Sequence, residues 1–375
     1  MSQDFTTRLQ LQLREAALRE EQRGALGRQL AGLRYGMPAP AATVAVGLAV
    51  LLLAVLVAVG GLRWGHQEDI VSNPKVIGNV PLAENLGWIS AGFGSVWAAD
   101  ADRQVLLRVN PKTRAVEAEI RTGGDSNAVG GDPIVNTGAG AVWAIARAPG
   151  ADGGSRVLRI DPATNRITDR VTLPADEAPL VLDLQIVQGR PWVVTSVGAI
   201  ELDPRTARPG RFVSAAQPAG EPFPLWSILS PDGELWVLDR SSQLQRYSLA
   251  SGERVATEPV PLPGAVGVIP TQVGAVYAGR DGVLARADDD GKIVWQRRVG
   301  TATTIPLVLG GTIWSHASDV ARGRDRLVEI DLRSGEVRSS TGLPEFGITG
   351  MTDVGRDLWI ATPVGKAMIV RPADR

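Results

Sequence analysis

The segment GFGSVW (92–97) joins a glycine-containing turn to an apolar strand that carries a tryptophan. Six related segments follow: GAGAVW ending at Trp143, VQGRPW at Trp192, PDGELW at Trp236, QVGAVY at Tyr277, LGGTIW at Trp314 and VGRDLW at Trp359. Successive aromatic anchors lie 37 to 49 residues apart, near the period of about 40 to 50 residues that is typical of four-stranded propeller blades. The sequence therefore predicts an all-β fold, a seven-bladed β-propeller.

Each repeat divides into four predicted strands. First strands are expected to begin near Trp88, Ile134, Asp183, Ser227, Val268, Ile305 and Gly350. A tight turn leads to the anchor strand, and a third strand follows, as in VLLRVN (105–110) and RVLRID (156–161). Turns such as NPKTRA (110–115), rich in residues that favour turn geometry, then lead to a fourth strand.

Repeat seven lacks a fourth strand after GKAMIVRP (365–372), whereas KVIGNVPLAEN (75–85) matches the fourth-strand segment RITDRVTLPAD (166–176). We expect the N-terminal strand to complete blade seven and thereby remove an open sheet edge. The propeller is predicted to occupy residues 75–375.

The repeats resemble the YVTN-type propellers of the wider WD40/YVTN-like group, which overlap with streptogramin-lyase-like and quinoprotein-like propellers. The resemblance covers about residues 75–375 and rests on GFGSVWAAD (92–100), VLRIDPATNRITDRVTLP (157–174) and VEIDLRSGEV (328–337). ADDDGKIVWQRRVG (287–300) is similar to a quinoprotein-type repeat. These segments imply a propeller architecture and carry no activity with them.

A second informative segment precedes the propeller. Residues 41–62 contain no charged residue, and Thr43 is their one polar side chain, so as a helix they span about 33 Å, enough for a bilayer core. Six arginines precede them: Arg8, Arg14, Arg19, Arg23, Arg28 and Arg34. This asymmetry predicts a single-pass signal anchor in the cell membrane, with a cytoplasmic N-terminus and an extracytoplasmic propeller. The alternative is a cleaved signal peptide, for which the leading segment and the apolar run are both long.

Residues 1–40 are predicted to be a cytoplasmic amphipathic helical segment, because Leu26, Leu30 and Leu33 recur at helical spacing. It would rest on the inner leaflet, pair with a copy of itself, or recruit a cytoplasmic partner. Residues 63–74 form a linker to the propeller.

Composition excludes several classes of function. Beyond residue 40, 33 basic and 36 acidic residues leave a formal net charge of −3, which argues against nucleic acid as a partner. The absence of cysteine excludes disulfides, thiol catalysis and cysteine-attached haem. We attribute the excess of 35 arginines over four lysines to a GC-rich bacterial genome.

Candidate catalytic residues are few. Streptogramin lyases, which the repeats partly resemble, use histidine and glutamate around the channel with a divalent metal, whereas His316 is the one histidine in the predicted propeller. A metal hydrolase would need converging oxygen ligands, and Asp132 and Asp183 on inner strands are the candidates for a metal site. With them, one face of the inner strands carries Ser90, Asn136, Gln185, Ser227 and Thr352, while the opposite face is expected to pack: Ile89, Val135, Leu184, Ile228, Ile269, Pro306 and Met351.

Candidate binding residues come from inner strands and from two long loops. Trp88 and Trp226 lie on inner strands and either line a binding surface or pack, whereas the anchor tryptophans are expected to be core. The segments 146–156 and 315–326 are the longest connections between second and third strands, and long loops on a rigid scaffold often carry recognition. Their charged and polar candidates are Arg147, Asp152, Arg156, His316, Asp319, Arg322, Arg324 and Arg326.

These observations predict a noncatalytic, membrane-anchored extracytoplasmic propeller that acts as a protein-binding or sensory platform. Its partner, a protein or cell-envelope ligand, is expected on the face that carries loops 146–156 and 315–326, and no cofactor is expected. The alternative is a membrane-tethered, metal-dependent hydrolase or lyase with its site at the propeller channel.

Overall fold

The computed structural model describes residues 74–123, 134–147, 154–215, 224–303, 306–319, 324–343 and 347–372. These residues form seven antiparallel sheets, which confirms the all-β, seven-bladed propeller. The predicted cytoplasmic helical segment, the transmembrane helix and linker residues 63–73 lie outside the described residues. Within the described ranges, no helix has the length and hydropathy needed to cross a membrane.

Strands alternate along the chain with turns that contain glycine or an Asn, Asp or Ser cap. The N-terminal strand and the strands of blades one to three are β1 (Lys75–Pro81), β2 (Leu86–Gly92), β3 (Ser95–Asp100), β4 (Val105–Val109), β5 (Val116–Arg121), β6 (Ile134–Gly138), β7 (Ala141–Arg147), β8 (Ser155–Asp161), β9 (Arg166–Thr172), β10 (Val181–Val187), β11 (Arg190–Thr195), β12 (Gly198–Leu202) and β13 (Pro209–Ser214).

Blades four to seven follow the same order from the channel outward. Their strands are β14 (Trp226–Leu229), β15 (Glu234–Leu238), β16 (Gln243–Ser248), β17 (Arg254–Pro259), β18 (Ala265–Thr271), β19 (Gly274–Gly279), β20 (Val283–Ala287), β21 (Ile293–Arg298), β22 (Ala302–Thr303), β23 (Leu307–Leu309), β24 (Thr312–Asp319), β25 (Arg324–Asp331), β26 (Val337–Leu343), β27 (Gly350–Val354), β28 (Asp357–Ala361) and β29 (Lys366–Arg371).

Blade six departs from the predicted pattern at its first strand. Both β22 and β23 pair with β24, and the register shifts by one residue between the pair of Thr303 with Ala317 and the pair of Leu307 with Trp314. Pro306 lies directly before β23 and has no backbone N–H to donate to the ladder. The first strand predicted to begin near Ile305 corresponds to β23, which begins at Leu307, and β22 is an additional short strand that the sequence did not predict.

The N-terminal strand lies at the outer edge of blade seven. β1 pairs antiparallel with β29, with Lys75 opposite Arg371 and Pro81 opposite Lys366. The buried Val80 packs in a cluster with Trp359 of blade seven and Leu107 of blade one. Residues from the two ends of the described chain therefore share one sheet, which closes the ring.

Five anchor tryptophans are 0 to 4% exposed: Trp97, Trp143, Trp192, Trp314 and Trp359. Each belongs to a cluster that includes side chains of the next blade, as Trp97 does with Val142 and Trp143 with Val193. Trp236 differs from the core prediction because it is half-buried. Its ring borders a groove between blades four and five.

Tyr277 is not the anchor of blade five, and that prediction is wrong by one residue. In blade one, Ser95 opens the second strand opposite Gly92, and the anchor lies two residues later. In blade five, Gly274 takes the place of Ser95 opposite Thr271, so the anchor position is Val276. Val276 faces blade six together with Trp295 of the fourth strand, whereas Tyr277 packs towards blade four.

Arginine side chains join successive blades on their outer halves. Arg108 of β4 donates to the carbonyl oxygen of Pro162 at 2.7 Å and to Asn165 Oδ1 at 2.9 Å, both in the next blade's turn. Arg159 donates to the carbonyl of Pro204 at 2.9 Å. We call the contact surface between successive sheets a seam, and these bonds fix the spacing at the first two seams.

Two further seams within the described residues carry the same kind of contact. Arg211 of blade three donates to the carbonyl of Leu249 at 2.6 Å, and Arg297 of blade five donates to that of Gly335 at 3.0 Å. Gly335 has a positive φ of 69°, and a Cβ there would lie 2.5 Å from the Trp295 ring. Glycine is therefore required where Trp295 covers this turn.

We predict that β1 is an integral part of the core. Val80→Ala should lower the free energy of unfolding by about 2 kcal/mol, because Val80 is 6% exposed and its loss leaves a cavity between blades one and seven. Val76→Ala on the same strand is the matched control, since Val76 is 38% exposed. Denaturant unfolding measures both changes, and equal effects of the two substitutions would show that β1 does not complete the sheet.

Candidate functional site

The first strands of the blades surround a central cavity of about 560 Å³, which we call the channel cavity. Its wall includes the residue of each first strand that pairs with the anchor position of the second strand. In blade order these seven residues are Ser90, Asn136, Gln185, Ile228, Ile269, Leu307 and Thr352. One side of the channel is therefore polar and the other is apolar.

This ring corrects the predicted separation between channel and packing residues. Ile228 and Ile269, which the sequence assigned to packing, face the channel, whereas Ser227 is buried. Four other predicted packing residues also border the cavity: Ile89, Val135, Pro306 and Met351. Blade four has three residues, 231–233, between its paired strand ends Ser230 and Glu234, so its first strand is displaced by one position relative to its anchor. In blade five, Ile269 was assigned to packing because the sequence took Tyr277 as the anchor in place of Val276. Leu184 is fully buried, as expected.

Polar side chains at the inner strands hold neighbouring blades together. Asn136 Nδ2 donates to the carbonyl of Leu184 at 2.9 Å, and the backbone N–H of Leu229 donates to Gln185 Oε1 at 3.0 Å. Ser90 Oγ donates to Asn136 Oδ1 at 3.3 Å. Since buried polar groups need partners, the amide groups of this wall are already used to join blades one to four.

A second layer of the cavity wall lies two residues earlier on the first strands, nearer the face that carries the connections between blades. It contains Trp88 of blade one, Asp183 of blade three and Trp226 of blade four. Register shifts occur between Leu86 and Ile89 and between Val181 and Asp183. Such β-bulges re-aim the side chains beside them, so they help place Trp88 and Asp183 at the cavity.

Asp183 is the one ionisable residue among the described residues that line the channel cavity. Its Oδ1 accepts the N–H of Leu184 at 2.7 Å, and its Oδ2 accepts from Gln185 Nε2 at 2.6 Å. Burial raises the pKa of Asp183 to about 6, although both hydrogen bonds act to lower it. The partners of this carboxyl group are thus neutral hydrogen-bond donors.

The two tryptophans of this layer are half-buried. Trp226 Nε1 donates to the carbonyl of Val268 at 3.0 Å, which fixes the indole across the seam between blades four and five. Trp88 packs partly against the clusters of blades one to three. The rings therefore pack, and they also line the cavity.

His316 does not lie in a loop, so its predicted place at the start of segment 315–326 is wrong. β24 and β25 extend to the pair Asp319 and Arg324, so the connection is residues 320–323 and His316 stands within a strand. It is 6% exposed, and its Nε2 lies 3.0 Å from Asp325 Oδ2. Burial acts to raise the pKa of Asp325, yet hydrogen bonds from Ser318 and His316 hold that pKa below its usual value.

The other loop candidates divide into three groups. Arg156 is half-buried in β8, and Arg326 is exposed in β25, where its Nη2 donates to the carbonyl of Val299 at 3.3 Å. The backbones of three candidates lie at strand ends: Arg147 at the end of β7, Asp319 at the end of β24 and Arg324 at the start of β25. Asp152 and Arg322 lie outside the described residues. The second-to-third connection of blade two is residues 148–154.

The metal interpretation depends on residues beyond those described. Asp132 lies outside them, and within them no group of three His, Asp or Glu side chains has the arrangement of a metal site. Asn136 Oδ1 and Gln185 Oε1 already accept hydrogen bonds. Of the two predicted metal ligands, the structure places Asp183 alone at the channel.

Three other cavities lie between blades at the opposite face, with volumes of about 470, 230 and 600 Å³. Each contains a carboxylate that is already paired with an arginine: Asp331 with Arg338, Glu234 with Arg246, and Glu201 with Arg190. These charges stabilise the seams and turns. Asp183 differs from them because its charge has no such partner in the described structure.

No protein-family model and no curated protein sequence matches this chain. Among solved structures, 1396 chains match, so the fold by itself does not select a function. One of them is BamB from Moraxella catarrhalis, with a TM-score of 0.54 and 11% sequence identity over 80% of this chain and 99% of that chain. This similarity is one of fold.

We predict that ionised Asp183 destabilises the fold. Because its folded pKa of about 6 lies above the ordinary value of 3.8, its contribution to stability is full below pH 4 and is lost as the pH rises through about 6. The free energy of unfolding of Asp183→Asn, relative to that of the wild type, should therefore be about 2 kcal/mol more favourable to folding at pH 7.5 than at pH 4. Urea unfolding at the two pH values measures this difference.

Asp203→Asn is the control of opposite sign. Backbone N–H groups of Arg205 and Thr206 hold the pKa of Asp203 below its usual value, so its contribution is present above that value and is lost as the pH falls. A pH-independent difference between the wild type and Asp183→Asn would contradict the prediction.

Proposed function

We propose that this protein is a noncatalytic, membrane-anchored extracytoplasmic propeller that binds a protein partner at one face of its ring. The observation that carries the proposal is the channel cavity, whose second layer holds Trp88, Trp226 and Asp183 on rigid inner strands. A cavity of this size that combines an apolar side with converging polar groups is typical of a recognition site. Aromatic residues in such positions commonly anchor partners.

The strand ends strengthen the choice of face. Second strands β7 and β24 end at Arg147 and Asp319, at the same end of the sheets as the connections between blades. Trp88 and Trp226 lie near that same end of the first strands. We place the partner on this surface, which surrounds the channel mouth, and name it the channel face.

The proposed location rests on the sequence of residues 41–62 and the six preceding arginines. β1 begins at Lys75, opposite Arg371, at the end of the sheets that bears the third-to-fourth-strand turns. The proposed linker, residues 63–74, therefore joins the propeller at the end of the sheets opposite the channel face.

The second candidate function is the metal-dependent hydrolase or lyase, and Asp183 is the observation that favours it. A carboxylate with a pKa raised to about 6 by burial is suited to proton transfer. The binding platform is better supported, since the amide oxygens beside Asp183 are engaged between blades.

One experiment tests location and binding face together. Cysteine, absent from the native chain, is introduced by Asp176→Cys on the channel face or by Thr113→Cys on the opposite face; both sites are exposed. Intact cells are treated with a membrane-impermeant thiol reagent that carries a photo-crosslinker. Position 176 should react and capture a partner protein on illumination, while position 113 should capture none.

Reaction of neither cysteine on intact cells, with reaction of both after permeabilisation, would contradict the extracytoplasmic location. Capture from position 113 and none from position 176 would contradict the binding face. The native chain, with no cysteine, is the control for nonspecific capture.

A further inference from the structure

We propose that the channel cavity binds one ammonium or guanidinium group, supplied by a lysine or arginine side chain of the partner. This inference rests on the proposed function, because the partner must cover the channel face. It adds the chemistry that the cavity recognises, with Asp183 as the charge partner and with Trp88 and Trp226 as aromatic walls.

The first argument is the uncompensated charge of Asp183. A buried carboxylate is unfavourable unless it is paired, and here its two partners are the neutral groups Leu184 N–H and Gln185 Nε2. No other ionisable residue among those described lines the cavity. A cation that enters the cavity would therefore meet an unopposed negative charge in a site of low effective dielectric.

The second argument is the aromatic wall. Elsewhere in this protein, arginines cover indole rings: the guanidinium of Arg108 lies 5.3 Å from the Trp97 centroid, and that of Arg246 lies 5.1 Å from the Trp236 centroid. Among the described residues, no arginine or lysine is recorded over the ring of Trp88 or Trp226. These two rings remain available for a cation that the partner supplies, and such contacts are favourable when desolvated.

The rest of the wall selects the kind of cation. A divalent metal ion requires several oxygen ligands, whereas Asn136 Oδ1 and Gln185 Oε1 are committed to Ser90 and Leu229 of neighbouring blades. The opposite side of the cavity is apolar, with Ile228, Ile269 and Leu307. An alkyl stem that ends in a nitrogen cation matches both sides, and lysine and arginine side chains have this composition.

The test uses the full-length protein in detergent and four probes: n-butylguanidine, n-butylamine, the neutral alcohol 1-pentanol, whose size lies between those of the two cations, and Ca²⁺. Indole N–H signals of Trp88 and Trp226, assigned by single Trp→Phe substitutions, report binding in NMR titrations. Both cationic probes should shift these signals at pH 7.5, and 1-pentanol should bind at least tenfold more weakly. Asp183→Asn should weaken the cationic probes at least tenfold and leave 1-pentanol unchanged.

Asp203→Asn is the matched control and should bind all probes as the wild type does, because Asp203 lies in an exposed turn away from the channel. Equal affinity for the cations and for 1-pentanol, or unchanged affinity in Asp183→Asn, would overturn the inference. Binding of Ca²⁺ at Asp183 with displacement of n-butylguanidine would overturn it in favour of the metal site.

The source of the cation is tested in cells by partner capture from the Asp176→Cys variant. Adding Asp183→Asn to that variant should reduce capture at least fivefold, and n-butylguanidine should compete with the partner in isolated membranes. Probe binding without either effect would assign the cavity to a free amine and overturn the side-chain source. Normal capture with no probe binding would refute this inference while the proposed function stands.

Discussion

The seams between blades are the constraint on which the whole ring depends. A four-stranded sheet has two faces, and a blade buries both of them only between two neighbours. At the described seams this is achieved by a large apolar side chain that faces the next blade, as Trp97 and Trp143 do. Arginines such as Arg108 and Arg159 add hydrogen bonds to the next blade's turn.

Because the apolar packing lies in the seams between blades, the centre of the ring is free for recognition. Inner polar groups such as Asn136 and Gln185 bind neighbouring backbone, so they stiffen the channel wall and are satisfied there. Asp183 departs from this rule, because no opposite charge among the described residues pairs with it and burial raises its pKa. Departures of this kind mark functional positions more reliably than the fold does.

Periodicity predicted the architecture because each blade repeats one arrangement of turns and apolar strands. It failed where one residue changes the phase of a strand. QVGAVY places an aromatic near the expected position, yet the paired turn makes Val276 the anchor. The three-residue turn of blade four similarly brings Ile228 to the channel. His316 was misplaced because hairpin length, unlike turn composition, depends on pairing that the sequence does not display.

Sequence could have revealed the arginine contacts. LLRVN and LQRYS carry arginine at the same third-strand position, and Arg108 and Arg246 lie there opposite Trp97 and Trp236. These arginines therefore have a structural role, which the attribution of the arginine excess to a GC-rich genome does not include. By contrast, the sequence could not show that Trp88, Trp226 and Asp183 lie together at the channel. Their placement depends on the closed ring and, for Trp88 and Asp183, on the β-bulges beside them.

The most direct test of this account is the stability of Arg108→Lys, measured by denaturant unfolding against Arg240→Lys. Lysine keeps the charge but has a single donor nitrogen, so it cannot reproduce both the Nε bond to Ser95 Oγ and the Nη1 bonds to Pro162 and Asn165. The loss should be about 1 to 3 kcal/mol. Arg240 is exposed, and no hydrogen bond of its side chain is recorded among the described residues, so its substitution should change stability by less than about 0.5 kcal/mol. Equal stability of the two variants would contradict the claim that the seams hold the ring.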